Sequence, residues 1–432
     1  MPRTNPQTAT AKVASIVLFA LSITLAHSAQ AQTYTVLYNF TGGSDGATPK
    51  TGLSMDGAGN LYGTTYTGGN TGNDCVINFL TDTGCGTVFK VAHSGSGWTF
   101  SSLYKFTGQS DGDPPSSRVV FGRDGALYGT ATYGGDASCD PGYDGCGLVY
   151  RLSPQPTFCR SVLCPWLQTP VFTFHNYATQ GQFPSGDLIF DAQGNLYGTT
   201  IFGGSNSCGG DGCGTVFELT PSGGGWTENL LYAFSYPTPY PDTGVIFDRS
   251  GRLYGTTSSL TGQPGSVFQL TNSGSGWIGN SLYVFSGTQN GYDVQAGLVF
   301  DQQGYLIGAT QYGGPTNFGT IFQLNPLPNG SWNFNTIYDL QQAAGGPEAN
   351  LTMDSAGNLY GTANVDGSHT FGSVFKLTLT NQGWVYTDLH DFNRSDGQNP
   401  ISSVLIDANG NLYGTASAGG SHGNGVVWEI TP

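Results

Sequence analysis

Three sets of residues have types and spacing that could do chemistry. The first emerges when the chain is aligned on a recurring turn aspartate, as at Asp56, Asp191, Asp354 and Asp407. Four residues earlier stands the column Gly52, Arg118, Asp187, Gly244, Gly297, Asn350 and Ser403. Two residues earlier again stand Lys50, Ser116, Ser185, Asp242, Gln295, Glu348 and Ile401. In an extended chain, period-two alternation puts both columns on one side. Lys50, Arg118, Asp187, Asp242, Glu348 and Asn350 are therefore expected to form one polar, ligand-binding ring, with a merely solvated channel as the alternative. A pair of carboxylates drawn from Asp187, Asp242 and Glu348 would suit glycoside hydrolysis. The second set is His369 and His422, each in a Gly-Ser-His or Gly-Gly-Ser-His loop, with Arg394 and Asp396 between them in sequence. Such a group would act as acid and base or hold a metal; with Arg118, Arg394 would neutralise a uronate in a lyase. Ordinary exposed loop histidines are the plainer reading. The third set is Tyr133, Phe202 and Tyr312, which precede Gly-Gly turns. Exposed rings there would stack on sugars, and loop packing is the alternative. His175 and His390 fall in strand-like segments, where packing is expected.

The elements that must position these groups are repeats. Leu-Tyr-Gly occurs at Leu61, Leu127, Leu196, Leu253, Leu359 and Leu412, with Leu306-Ile307-Gly308 as a seventh variant, spaced by 66, 69, 57, 53, 53 and 53 residues. Each unit reads as four short strands, a to d, exemplified by 186–191, 195–200, 214–219 and 230–234. The Thr, Tyr, Phe and Val in them suit half-buried pleated surfaces. An Asp-x-x-Gly-Asn turn joins a to b, its glycine taking the positive φ of a tight hairpin. Four-stranded units of about 50 residues predict a β-propeller, here all-β with seven blades. The seventh unit ends after strand c (426–430), while residues 34–40 read as a strand d with nothing before it. The first strand is expected to complete the last blade and close the ring, which removes an open edge. An open solenoid is the rival.

Composition agrees. Glycine makes up 68 of 432 residues and charged residues 9%, against about 7% and roughly 25% in ordinary proteins; an all-helical fold lacks the residues it needs. Aromatic residues, at 13%, exclude a disordered chain. The net charge of −15 offers no basic stripe for nucleic acid. Arg3 and Lys12, the apolar run 13–26 and Ala29-Gln30-Ala31 read as a signal peptide of residues 1–31, too short in its apolar part to span a membrane. An uncleaved anchor is the alternative. Residues 32–432 are then a single secreted propeller domain, extracellular or periplasmic, free of the membrane and expected to be a monomer. Eight cysteines lie between Cys75 and Cys213. Proximity favours the disulfides Cys75–Cys85, Cys139–Cys146, Cys159–Cys164 and Cys208–Cys213 among 105 possible pairings. A zinc site is the alternative, disfavoured because the spacings are not CxxC pairs and no nearby His completes a set; an EF-hand loop, H-E-x-x-H, G-x-S-x-G and a P-loop are absent. No metal or cofactor is expected.

The unit D-x-x-G-N-L-Y-G-T-T…G-G…G-T-V-F-x-L…G-W…L-Y-x-F…D-G-x-x-P resembles the GloVer-type tandem repeat of secreted bacterial proteins, over essentially the whole chain after residue 31. The resemblance implies secretion and supplies no activity. Relatives often carry one of several C-terminal surface anchors, and none is expected here. Three functions follow as expectations: a non-catalytic binding module holding an extracellular glycan or protein on its top face, a polysaccharide lyase or glycoside hydrolase, and a structural matrix protein.

Overall fold

The computed structural model describes residues 32–432 except 71–74, 76–83, 96, 140–144, 156–165, 177, 205–207, 259–264, 288 and 342–345. The expected leader 1–31 and the pair Cys159–Cys164 lie outside the described residues.

Each Leu-Tyr-Gly segment is the b strand of one sheet, and the packing explains its composition. The leucine is buried at the blade core in all seven units. The glycine faces an aromatic residue directly across on strand c: Gly63 opposite Phe89, Gly198 opposite Phe217, Gly414 opposite Trp428. A Cβ on Gly198 would lie 2.5 Å from Phe217 Cζ, so the ring occupies the space that a side chain would need. The tyrosine turns to the other face and meets the next blade. Tyr62, Tyr128, Tyr197 and Tyr254 each receive the edge of a strand-a phenylalanine (Phe121, Phe190, Phe247, Phe300) at 4.9–5.4 Å. The d-strand tryptophan of the following blade closes over the same tyrosine, as Trp226 does on Tyr128 and Trp332 on Tyr254.

The turn aspartates hold the a–b hairpins. Asp56 accepts the backbone N–H groups of Ala58 and Asn60, the Asn60 amide and the Tyr62 hydroxyl. Asp191, Asp354 and Asp407 repeat the pattern. They are Asx-turn residues with their oxygens occupied.

Seven sheets result, each ordered a-b-c-d. Thr33–Asn39 pairs antiparallel with Val426–Thr431, Tyr34 opposite Ile430 and Val36 opposite Trp428, so the first strand is the d strand of blade 7. The ring closes between blades 7 and 1, where Trp98 lies edge-on to Tyr413 and Thr415 donates to the Pro49 carbonyl. Between blades, the aromatic ending strand d packs on the aromatic of the next blade's strand c: Phe106 on Tyr150, Phe174 on Phe217, Phe234 on Phe268, Phe285 on Phe322. These rings are buried, each worth about 1.5–3 kcal/mol of transfer free energy. Among the described residues there is no helix, and none long and apolar enough to cross a membrane.

Three disulfides form as the spacing predicts: Cys75–Cys85, Cys139–Cys146 and Cys208–Cys213. All tie b–c loops on one face, here called the top. They suit an oxidising, extracellular or periplasmic environment.

Candidate ligand site at the channel mouth

Strand a carries the two columns, and it is broken where they sit. Its regular part is two residues long, such as Ser54–Met55 or Ile189–Phe190. The chain above it pairs separately with the upper end of strand b, at Asp113–Pro115 and Gln182–Pro184 in blades 2 and 3. Between these pieces the backbone crosses the channel wall, and its side chains face the axis. One cavity of about 170 Å³ there is lined by Lys50, Ser116, Ser185, Asp242, Gln295, Glu348 and Ile401, one side chain from each blade. Asp187 and Asn350 line it from the lower column.

The lower column is spent largely on the ring itself. Asp187 accepts the Arg118 backbone N–H at 2.9 Å and pairs with its guanidinium at 3.2 Å. Asn350 accepts the Gly297 N–H at 2.6 Å. Both contacts join adjacent blades. An alanine at Arg118 or Asp187 therefore costs stability as well as any ligand contact, contrary to a purely solvent-facing role.

The upper column keeps its charge for the cavity. Glu348 accepts from the amides of Gln311 and Asn364. Burial raises its carboxyl above the ordinary value, Asp293 adds to this, and Lys50 and Gln311 oppose it. The Lys50 ammonium lies 3.9 Å from the centre of the Tyr66 ring. Desolvation lowers its pKa, and Glu348 pulls it back. Asp242 is the outlier: its Oδ1 is buried with no hydrogen-bond partner. Burial pushes this carboxyl up to about 7, helped by Asp293 and opposed by Ser258. The mouth thus holds one acid poised to gain or lose a proton near neutral pH, beside the Glu348 carboxyl and the Lys50 amine. Such groups can bind hydroxyls and charges, and a protonated acid beside a carboxylate can also transfer protons.

The other candidates are placed differently. Tyr133, Phe202 and Tyr312 are half-buried. Tyr133 meets Phe183 edge-on at 5.0 Å, Phe202 meets Tyr240 at 5.3 Å, and Tyr312 stacks on Tyr292 at 5.5 Å. They form aromatic contacts between neighbouring segments of the top face and leave only part of each ring to solvent. His369, His422 and Arg394 are exposed. Among the described residues no side-chain contact joins them, and no group of three acid, His or Cys residues could hold a metal. Asp396 pairs instead with His390 at 3.2 Å, and His390 stacks flat on Tyr34 at 3.7 Å. His390 is thus a packing residue, as expected of its strand. His175 is not: it lies beyond the end of its strand, 58% exposed, with Nδ1 2.7 Å from Asp136.

Sequence reasoning did not single out Asp293, Gln311 or Asn364. The signal was present, because Gln311 and Asn364 share the fifth position after the leucine of the b-strand motif with Tyr66 and Ser258, the residues that flank Lys50 and Asp242.

A closed ring of seven blades with a polar mouth of one side chain per blade defines a tandem-repeat β-propeller. The chain belongs to the Gloeobacter/Verrucomicrobia repeat family, whose model matches residues 28–259 and 206–428. No curated protein matches it in sequence. Among solved structures it is similar to a fungal alcohol oxidase of the AA5 family in complex with copper (TM-score 0.56, 15% identity, covering 93% of this chain and 76% of that one). It is also similar to Kuenenia stuttgartiensis hydrazine synthase (0.53, 14%, 89% and 96%). A putative gluconolactonase is more distant in shape (0.42, 11%, 93% and 92%). Likeness at these identities concerns the fold alone.

Proposed function

We propose that this protein is a secreted, non-catalytic binding module that holds a glycan or protein group over the channel mouth. The observation that carries this reading is the mouth itself. It is the place where all seven repeats contribute unlike side chains to one concavity, and ligand sites combine a concavity with a few convergent polar groups. The same face carries the three described disulfides, in b–c loops of blades 1 to 3, and loops on a fixed scaffold are where binding concentrates. A glycan array combined with a reducing-sugar and unsaturated-uronate assay tests it. Binding without product supports the module. A protein pull-down in the absence of glycan binding points to a matrix role.

One observation favours a second reading. Asp242, raised to about 7, shares its cavity with Glu348, and a glycoside hydrolase needs one protonated and one ionised carboxyl group. Release of reducing ends by the wild type, lost in both Asp242→Asn and Glu348→Gln, supports hydrolysis. The lyase reading has no such support, since Arg118 is paired with Asp187 and both loop histidines stand apart from the cavity.

A further inference from the structure

On the face opposite the disulfide-tied loops, a cleft of about 720 Å³ opens between blades 4 and 5. Its size falls within the range of small-molecule sites. Its floor is ordinary for this ring: Phe300 and Trp332 both pack edge-on to the buried Tyr254, at 5.4 and 6.1 Å. Its walls are not ordinary. They are two places where the chain departs from its own repeat.

The first departure is the a–b turn of blade 4. Blades 1, 3, 6 and 7 end this turn on Asn60, Asn195, Asn358 and Asn411, each donating its amide to the turn aspartate. Blade 4 has Arg252 in that place and Arg249 directly after Asp248. Arg252 is pinned to Asp248 at 2.6 Å, so its charge is answered. Arg249 is exposed and forms no ion pair or hydrogen bond among the described residues. The second departure is the c–d hairpin of blade 5. Blades 3 and 6 turn through two residues, between Ser222 and Gly225 and between Thr380 and Gly383. Blade 5 turns through 327–331, between Pro326 and Trp332. Leu327 in this longer turn is 42% exposed at the cleft wall.

The remaining acid of the cleft is occupied. Asp301 accepts the backbone N–H groups of Gln303 and Tyr305 and the Gln323 amide. Asp248 and Asp301 balance Arg249 and Arg252, so the cleft is locally neutral in a chain of net charge −15. The groups left for a ligand are the Arg249 guanidinium, the Gln303 amide and the apolar surface of Trp332 and Leu327.

We propose that this cleft binds a pyranose ring bearing one anionic substituent. The ring's C–H face lies on Trp332 and Leu327, its hydroxyls reach Gln303, and its carboxylate or sulfate takes the Arg249 fork. A guanidinium matches either anion through paired N–H donors. The site is separate from the channel mouth and independent of its reading.

Calorimetric titration of the full chain with trigalacturonate, a sulfated galactan oligosaccharide and a neutral galactan oligosaccharide tests this. At least one anionic probe is expected to bind about tenfold or more tighter than the neutral one, and the two anionic arms distinguish uronate from sulfate. Arg249→Ala is expected to weaken that binding about tenfold, with unchanged melting because the residue is exposed. Trp332→Phe keeps the contact with Tyr254 and is expected to weaken binding of the anionic probe. Absence of binding, equal affinity for the neutral probe, or full affinity in Arg249→Ala overturns the proposal. So does loss of binding in Asp242→Asn with retention in Arg249→Ala, which places the probe in the channel.

Discussion

The channel mouth and the cleft between blades 4 and 5 are built in opposite ways. The mouth draws side chains from all seven blades, so its shape exists only while the whole ring is closed. The cleft takes all its residues from two adjacent blades, so it needs only their mutual packing. The mouth is polar, small and rich in groups whose protonation burial has shifted. The cleft is aromatic and larger, with its charges in balance. In a ring of repeats, distinct chemistry can therefore arise by summing small differences around the axis or by concentrating two departures at one seam.

Opening the ring should separate the two most sharply. Removing Thr33–Asn39 strips strand c of blade 7 of its outer partner and exposes a sheet edge. The expected result is aggregation on size exclusion and loss of a single cooperative melt. A monomeric deletion variant with unchanged melting would contradict the closed ring, and with it the collective nature of the mouth.

Reduction comes next. The three described disulfides close loops of 5–10 residues, each worth about 2–3 kcal/mol in the chain-entropy model. All lie on the top face, so reductant should lower the melting temperature and weaken ligands of the mouth more than ligands of the cleft. Equal loss at both sites would show that the two faces are coupled. Non-reducing peptide mapping of protein purified without reductant is expected to recover Cys159–Cys164 as a fourth bridge.

Trp226→Ala removes a half-buried ring from the seam between blades 2 and 3. A loss of about 2–4 kcal/mol in denaturant unfolding is expected, with both sites retained. A loss below about 0.5 kcal/mol, the range of a neutral surface change, would remove the Trp–Tyr contact from the account of blade packing.

The last effect is electrostatic. Asp242 has a folded pKa of about 7 against an ordinary 3.8. The folded state therefore binds the proton more tightly. The stabilisation is complete below the unfolded pKa and is lost as pH rises through the folded one. Asp242→Asn should flatten this dependence, so that the gain in stability over wild type grows between pH 4 and pH 7. Melting curves of the two proteins across that range decide it, and a constant difference would mean that Asp242 titrates normally.

Much of this architecture was legible in the residues because it is local or periodic. Leu-Tyr-Gly gives a strand whose glycine must face a bulky partner, the turn aspartate bonds within six residues of itself, and cysteines 5–10 apart can meet without help from the rest of the chain. Repetition of these signals determined the number of blades, the register of the columns and the closing strand. The tertiary structure alone decided what depends on neighbours from other blades. Arg118 and Asp187 are 69 residues apart, and their pairing follows from the offset between blades 2 and 3. Asp396 pairs with His390, not with the loop histidines, where Tyr34, delivered by the closing strand, stacks on that ring and donates its hydroxyl to the Asp396 carbonyl. The raised pKa of Asp242 and the cleft under Arg249 likewise arise from what is packed alongside, since burial is a property of a residue's surroundings and not of its type.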